Sequence, residues 1–330
     1  MGRGPRDHVR PGLHMKIAMV FPGQGSQSVG MMKAYAGLPE VDAVLREAHE
    51  ALGAEFMRVL DEGPAEALSL TVNTQPAMLT AGVAAYRAWR ALGGPAPEVV
   101  AGHSLGEYTA LVAAGAIAFR DALPLVRFRA QAMQEAVPEG RGAMAAILNL
   151  DDDAVSAACA EAAQGEVVQA VNFNAPGQVV IAGDKAAVAR AIEACKAKGA
   201  KRALPLPVSA PFHSSLMTPA AERLKVQVEK TRIAAPEVAL INNVDVAIER
   251  DAAAIRAALV RQAASPVRWV ETIRAMARMG VTHVIECGPG KVLAGLTRRI
   301  DGSLQSLALS DRATLEQALE AVKGGENAAG

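Results

Sequence analysis

The sequence predicts an α/β fold in which a large lobe built on a parallel sheet carries a smaller βαββαβ lobe as an insertion. Three observations predict it. Short, continuously apolar runs end in glycine turns and give way to helical periodicity, the pattern of strands covered on both faces. Between about residues 142 and 208 the signals change to strand, helix, strand, strand, helix, strand, the order of a ferredoxin-like unit. Beyond that stretch helices separated by apolar strands return, as they do when one unit interrupts another.

Taken in order, KIAMVF at 16–21 is a buried strand running into the glycine turn PGQGS. Apolar positions at helical spacing cover 74–92. PEVVAG at 97–102 is a second strand that stops at GHSLG, after which EYTALVAAGAI at 107–117 resumes a helix. Inside the insertion come AMAAIL, a helix over 151–163, VVQAVNF, VVIAG, a helix over 184–198 and RALPLPV; after it, VALINNV and HVIEC are two further strands. The expected division is a disordered leader over 1–14, a large lobe over 15–141 and 209–323, a small lobe over 142–208, and a loose tail over 324–330, where apolar anchors are lacking.

Composition narrows the function classes. The chain has 330 residues, 51% of them hydrophobic, enough for a substantial core. Its 34 basic and 34 acidic residues cancel, so no overall field favours nucleic acid or an anionic membrane, and neither is expected as a partner. Cys159, Cys195 and Cys287 are odd in number, widely spaced and outside any metal-binding pattern, which suits a reducing cytoplasm and predicts neither a disulfide framework nor a metal site. Residues 1–14, MGRGPRDHVRPGLH, lack the apolar core of a secretory signal, and no later apolar run reaches membrane-spanning length.

The motif with the most chemistry is Gly102-His103-Ser104-Leu105-Gly106. It matches the nucleophile elbow GxSxG and falls between a strand and a helix, where small flanking residues allow a sharp turn and the serine stands above the sheet. The competing reading is a small-residue turn whose serine caps the helix. A serine hydroxyl needs a base. Of the six histidines, His8 and His14 lie in the leader, His49 on a solvated helix, His103 inside the elbow and His283 inside a strand. His213, in the loop APFHSSLM after the insertion, remains, and loops are where catalytic groups gather, although a surface histidine fits the same spacing. In the helical stretch 121–137, Arg129 shares the apolar stripe with Leu125, Val126 and Met133. An arginine there either grips a carboxylate of protein or ligand, or snorkels to water along its stem. PGQGS is a poor dinucleotide turn, because its third glycine is replaced by Ser28, and ECGPGK lacks the phosphate-loop spacing.

FPGQGSQ, GHSLGEYTALVAAGA, Arg129, NFNAPGQVVIAG, APFHSSLM, NNVDV and GPGKVLAGL, in this order from about residue 15 to about residue 309, closely resemble malonyl-CoA:acyl carrier protein transacylase, the malonyltransferase of fatty-acid synthesis. The resemblance implies an α/β-hydrolase-like large lobe with a ferredoxin-like small one. It implies that Ser104 is acylated, that His213 takes its proton, and that the main-chain carbonyl of Gln262, in LVRQAASPV, orients the histidine in place of an acid. The N–H groups of Gln24 and Leu105 would hold the oxyanion. Arg129 would bind the malonyl carboxylate, with Phe212 and Asn174 as further substrate-binding residues; a bulky Phe212 would crowd an α-methyl group.

The implied reaction is ping-pong. Malonyl-CoA acylates Ser104, and the phosphopantetheine thiol of acyl carrier protein collects the malonyl group, with coenzyme A thioester and phosphopantetheine as substrates and no bound cofactor. Acyl carrier protein is typically acidic, which makes Lys201 and Arg202 candidates for receiving it. A serine thioesterase or hydrolase on the same fold, or a non-catalytic carrier-protein docking module, are the alternatives.

Overall fold

The computed structural model describes residues 15–208 and 210–327; the leader expected over 1–14 lies outside them. The chain opens with β1 (Ile17–Phe21), then α1 (Pro39–Glu62, kinked at Gly53), α2 (Ala65–Ser69) and α3 (Thr71–Ala91). β2 (Val99–Gly102), α4 (Gly106–Ala113) and α5 (Phe119–Gln134) complete the first part. The small lobe is β3 (Gly142–Leu148), α6 (Asp152–Ala163), β4 (Val168–Ala175), β5 (Gln178–Asp184), α7 (Lys185–Ala197) and β6 (Arg202–Pro205). The chain then returns through α8 (Thr218–Lys230), β7 (Ala239–Ile241), β8 (Ile248–Glu249), α9 (Ala252–Gln262) and α10 (Trp269–Arg278), and ends with β9 (His283–Cys287), α11 (Val292–Ile300), β10 (Gln305–Leu309) and α12 (Arg312–Asn327). Residues 324–327, expected to begin a loose tail, continue α12.

The large sheet runs β10-β9-β1-β2-β7-β8, parallel except for the edge strand β8. Its inner strands β1 and β2 read as continuous apolar runs because both faces are covered. In β1, Ile17, Met19 and Phe21 enter a core with α1, α3 and α5, while Ala18 and Val20 point the other way onto Trp269, Ile273 and Leu293. The four-stranded antiparallel sheet runs β4-β5-β3-β6, the ferredoxin-like order. One of its faces packs on α6 and α7 around Ile147, Val155 and Val188, and the other carries Met144, Val171 and Val180, against which Leu206, Val208 and Phe212 pack.

The lobes are joined along β4. Phe173 N donates to Val267 O at 3.0 Å, and Val267 N donates to Val171 O at 2.8 Å, so the segment before α10 extends the small lobe's backbone pairing. The loops that leave the C-terminal ends of β1, β2 and β7 therefore meet beneath the small lobe, the place where open parallel sheets gather ligands. All three cysteines are buried thiols, and no helix among the described residues is long and apolar enough to cross a membrane.

Candidate active site

Between the end of β2 at Gly102 and the start of α4 at Gly106 the chain turns within three residues. The sequence assigns that turn to glycine flexibility, but the left-handed backbone belongs to Ser104 itself, at φ 53°. The glycines are there for close approach instead. A Cβ on Gly102 would sit 1.8 Å from the Gly106 carbonyl, and one on Gly106 would sit 2.0 Å from the carbonyl oxygen of Phe21. A non-glycine residue held left-handed stores about 1–3 kcal/mol, so neighbours must over-determine it. Asn243, just past β7, does so: its Oδ1 accepts from Ser104 N at 2.8 Å and its Nδ2 donates to Gly102 O at 2.7 Å.

His213 follows the small lobe, is 3% exposed, and also has a left-handed backbone, at φ 64°. Its Nε2 lies 2.7 Å from Ser104 Oγ, and its Nδ1 lies 2.9 Å from the main-chain oxygen of Gln262. A carbonyl only accepts, so Nδ1 carries the ring proton and Nε2 is the bare nitrogen that receives the serine O–H. Gln262 is the last residue of α9, where carbonyls lack intrahelical partners and form the negative end of the helix dipole. That oxygen occupies the position of a triad acid and favours an imidazolium in the same sense. Burial, and then the charge of Arg129, push the His213 pKa down to about 3, so the ring is neutral, its base form, at pH 7.

Arg129 is 1% exposed on α5. Its Nη1 donates to Gln75 Oε1 at 2.6 Å, and its Nη2 donates to Gln262 Oε1 at 2.9 Å and to Ser104 Oγ at 3.2 Å. The guanidinium lies over the Tyr108 ring, 5.3 Å from its centroid. Among the described residues no carboxylate forms an ion pair with it, and its Nε has no hydrogen-bond partner. A buried cation met only by neutral groups is costly, and it leaves N–H groups for an anion from outside. Because Arg129 can only donate to Ser104 Oγ, the serine proton remains directed at His213.

These groups open into a hollow of about 380 Å³ between the lobes, lined by Gln24, Ser104, Leu105, Arg129, Phe212 and His213, with Met144 and Asn172 from the small lobe. A larger hollow of about 490 Å³ along α1 contains no serine, cysteine or histidine, and so has no hydroxyl or thiol paired with an imidazole. Gln24 and Gly23 belong to the PGQGS turn, which packs on the elbow so closely that a Cβ on Gly23 would meet His103 O at 2.6 Å.

The family model described as acyl transferase domain matches residues 18–309. A malonyl CoA-acyl carrier protein transacylase of Escherichia coli (strain K12) is 56% identical over 306 residues, covering 92% of this chain and 99% of that protein. The chain belongs to the malonyl CoA-acyl carrier protein transacylase family. Among solved structures, an acyl-carrier-protein S-malonyltransferase from Burkholderia pseudomallei 1710b is 64% identical with a TM-score of 0.91, covering 93% of this chain and 100% of that one. A malonyl-transacylase solved in complex with its type II PKS acyl-carrier protein is 53% identical with a TM-score of 0.91, covering 93% of this chain and 99% of that one.

In this member of the transacylase family the fold brings Ser104, His213, Gln262 and Arg129 into direct hydrogen-bond contact, with Gln24, Leu105 and Phe212 on the wall of the same hollow. Asn174 is placed differently. Its Oδ1 lies 2.7 Å from His103 Nε2, and the His103 ring leans on Trp269, so this asparagine is engaged by the elbow histidine while Asn172, two residues earlier, lines the hollow. Sequence reasoning missed Gln75, Glu107 and Asn243, all buried and all hydrogen-bonded to the site. For Glu107 the signal was present: a carboxylate at the head of the otherwise apolar run EYTALVAAGAI.

Proposed function

We propose that this chain moves a malonyl group from malonyl-CoA to the phosphopantetheine thiol of acyl carrier protein through a malonyl-Ser104 intermediate. The observation that carries this reading is the meeting of Ser104 Oγ with both His213 Nε2, at 2.7 Å, and the ion-pair-free guanidinium of Arg129, at 3.2 Å. Ser104 Oγ attacks the thioester carbonyl as its proton passes to His213 Nε2. The N–H groups of Gln24 and Leu105, beside the N-terminus of α4, hold the oxyanion, and one donor of that kind is worth roughly 10²–10³ in rate. Collapse expels coenzyme A, whose sulfur takes the proton from His213. The carrier-protein thiol then repeats the sequence in reverse, giving its proton to His213, attacking the ester and returning the serine hydroxyl.

Arg129 gives the site its acyl selectivity: the malonyl carboxylate ends the isolation of a buried cation and fixes the acyl group over Ser104. Phe212 packs between Met144 and Met217 and faces the hollow, where its ring narrows the space for an α-methyl group. Lys201 and Arg202 are exposed at the head of edge strand β6, whose continuation through 206–208 lines the hollow, and this supports them as a receiving surface for an acidic carrier protein. The coenzyme A thioester and the phosphopantetheine arm are substrates, and no resident cofactor takes part. Three free, buried thiols support a cytoplasmic setting.

Transfer and hydrolysis are separated by following free malonate after mixing with malonyl-CoA. The expected result is slow release without an acceptor and rapid malonyl transfer once holo carrier protein is added. Rapid malonate release that ignores the carrier protein would make the protein a thioesterase.

A further inference from the structure

Glu107 lies in the first turn of α4, three residues past Ser104, and is 1% exposed, yet the steps above make no use of it. Its Oε2 accepts from Gln262 Nε2 at 2.9 Å and from Asn243 N at 3.0 Å. An ionised carboxylate only accepts and a guanidinium only donates, so Gln262 must turn its amide N–H toward Glu107 and its Oε1 toward Arg129. The second N–H of Gln262 holds Ser104 O at 2.9 Å, while its main-chain oxygen holds His213. Asn243, fixed through its own N–H, grips Gly102 O and Ser104 N. One buried carboxylate thus anchors the two amides that between them touch the nucleophile's backbone, the base and the guanidinium.

We propose that Glu107 is a positioning residue for acyl transfer: acting through Gln262 and Asn243, its carboxylate locks the elbow, His213 and Arg129 in one arrangement, and its charge offsets the imidazolium formed when Ser104 gives up its proton. In a serine triad a carboxylate meets the base directly. Here it stands one amide behind. Its location makes the charge conditional on pH. Burial raises the Glu107 pKa to about 7, opposed by the Gln262 and Asn243 hydrogen bonds and by Arg129, while Glu249 on β8 adds to the rise. Tyr108, its neighbour on α4, is pushed up to about 12 and stays neutral. The carboxylate is therefore present above about pH 7 and lost below it, whereas His213 stays in its base form well below that.

The inference rests on the malonyl-transfer reading and is tested with Glu107→Gln, which keeps an accepting oxygen and removes the charge. At pH 8 the variant is expected to melt no lower than wild type, because a raised carboxyl pKa means that the buried charge destabilises the fold there. Its kcat for acylation by malonyl-CoA should nevertheless fall by on the order of tenfold with KM little changed, a loss of geometry and charge rather than of binding. In wild type the rate should drop by about the same factor as pH falls through 7 and then level off, whereas Glu107→Gln should stay flat on the lower level. Wild-type kcat in the variant, or a parallel loss of melting temperature and rate, overturns the proposal. So does a wild-type profile without a step near pH 7, a measurement that needs no variant. Intact mass keeps the two claims apart: a wild type that takes up no malonyl group overturns the transfer reading itself.

Discussion

His213→Ala is expected to slow acylation by malonyl-CoA by on the order of 10³–10⁴-fold, with the fold and the KM for malonyl-CoA nearly unchanged. The size of the effect follows from the polarity of the contacts. Among the described residues Ser104 Oγ has two close side-chain partners, and one of them, Arg129, can only donate. Without the imidazole no other described side chain that contacts Ser104 Oγ accepts the serine proton or returns it to the departing thiol. Residual activity comes from the oxyanion donors and the bound arginine, so Ser104→Ala and His213→Ala should not add in the double variant. Rapid-mixing measurement of coenzyme A release checks this. A His213→Ala rate within tenfold of wild type would place the base elsewhere.

Arg129→Ala is expected to lower kcat/KM for malonyl-CoA by roughly 10²–10³, the range for a buried charge-assisted contact, while turnover of acetyl-CoA falls much less or rises. The preference between the two thioesters should collapse, and the ratio of their kcat/KM values is the measurement. Lysine should not restore it. A point charge on a flexible stem cannot span Gln75 and Gln262 while facing a carboxylate in the same plane, as the guanidinium fork does. An unchanged malonyl-to-acetyl ratio in Arg129→Ala would remove Arg129 from acyl recognition.

The central strands β1 and β2 were legible because burial on both faces leaves a continuous apolar run that no polar requirement interrupts, and β9 was legible from Val284 and Ile285 although its buried Glu286 accepts from Ala294 N at 2.8 Å. Two edge strands were not: β8 is two residues long, and β10, QSLAL, keeps Gln305 exposed and Ser306 and Ala308 half-buried, so neither shows the pattern of a buried strand. In the site, Ser104 and His213 were readable from chemistry, and Arg129 from a cation placed on an apolar stripe. What escaped was the network of neutral amides and one acid beneath them. Gln75, Asn243 and Glu107 act through partners that lie 54, 141 and 155 residues away, separations that no local spacing rule spans. The asparagines of NFN show the same limit, since residues two apart on a strand project from one face, and register shifts in β4 on either side decide which meets His103 and which the hollow.

The backbone strain was equally hidden. GxSxG reads as a statement about glycine flexibility, yet Ser104 and His213 hold the left-handed conformations and the flanking glycines clear space for Phe21 and for each other. Ser104 and His213 hold these conformations with Oγ and Nε2 2.7 Å apart, Asn243 binding Ser104 N and Gly102 O and Gln262 binding Ser104 O and His213 Nδ1.

Intact-protein mass spectrometry after mixing with malonyl-CoA, followed by holo carrier protein, tests the malonyl-Ser104 intermediate most directly. The account predicts one malonyl unit on the wild-type chain, mapped to Ser104, absent from Ser104→Ala, and discharged to the carrier thiol on its addition. A wild-type chain without the adduct, or an adduct of equal yield in Ser104→Ala, would contradict it.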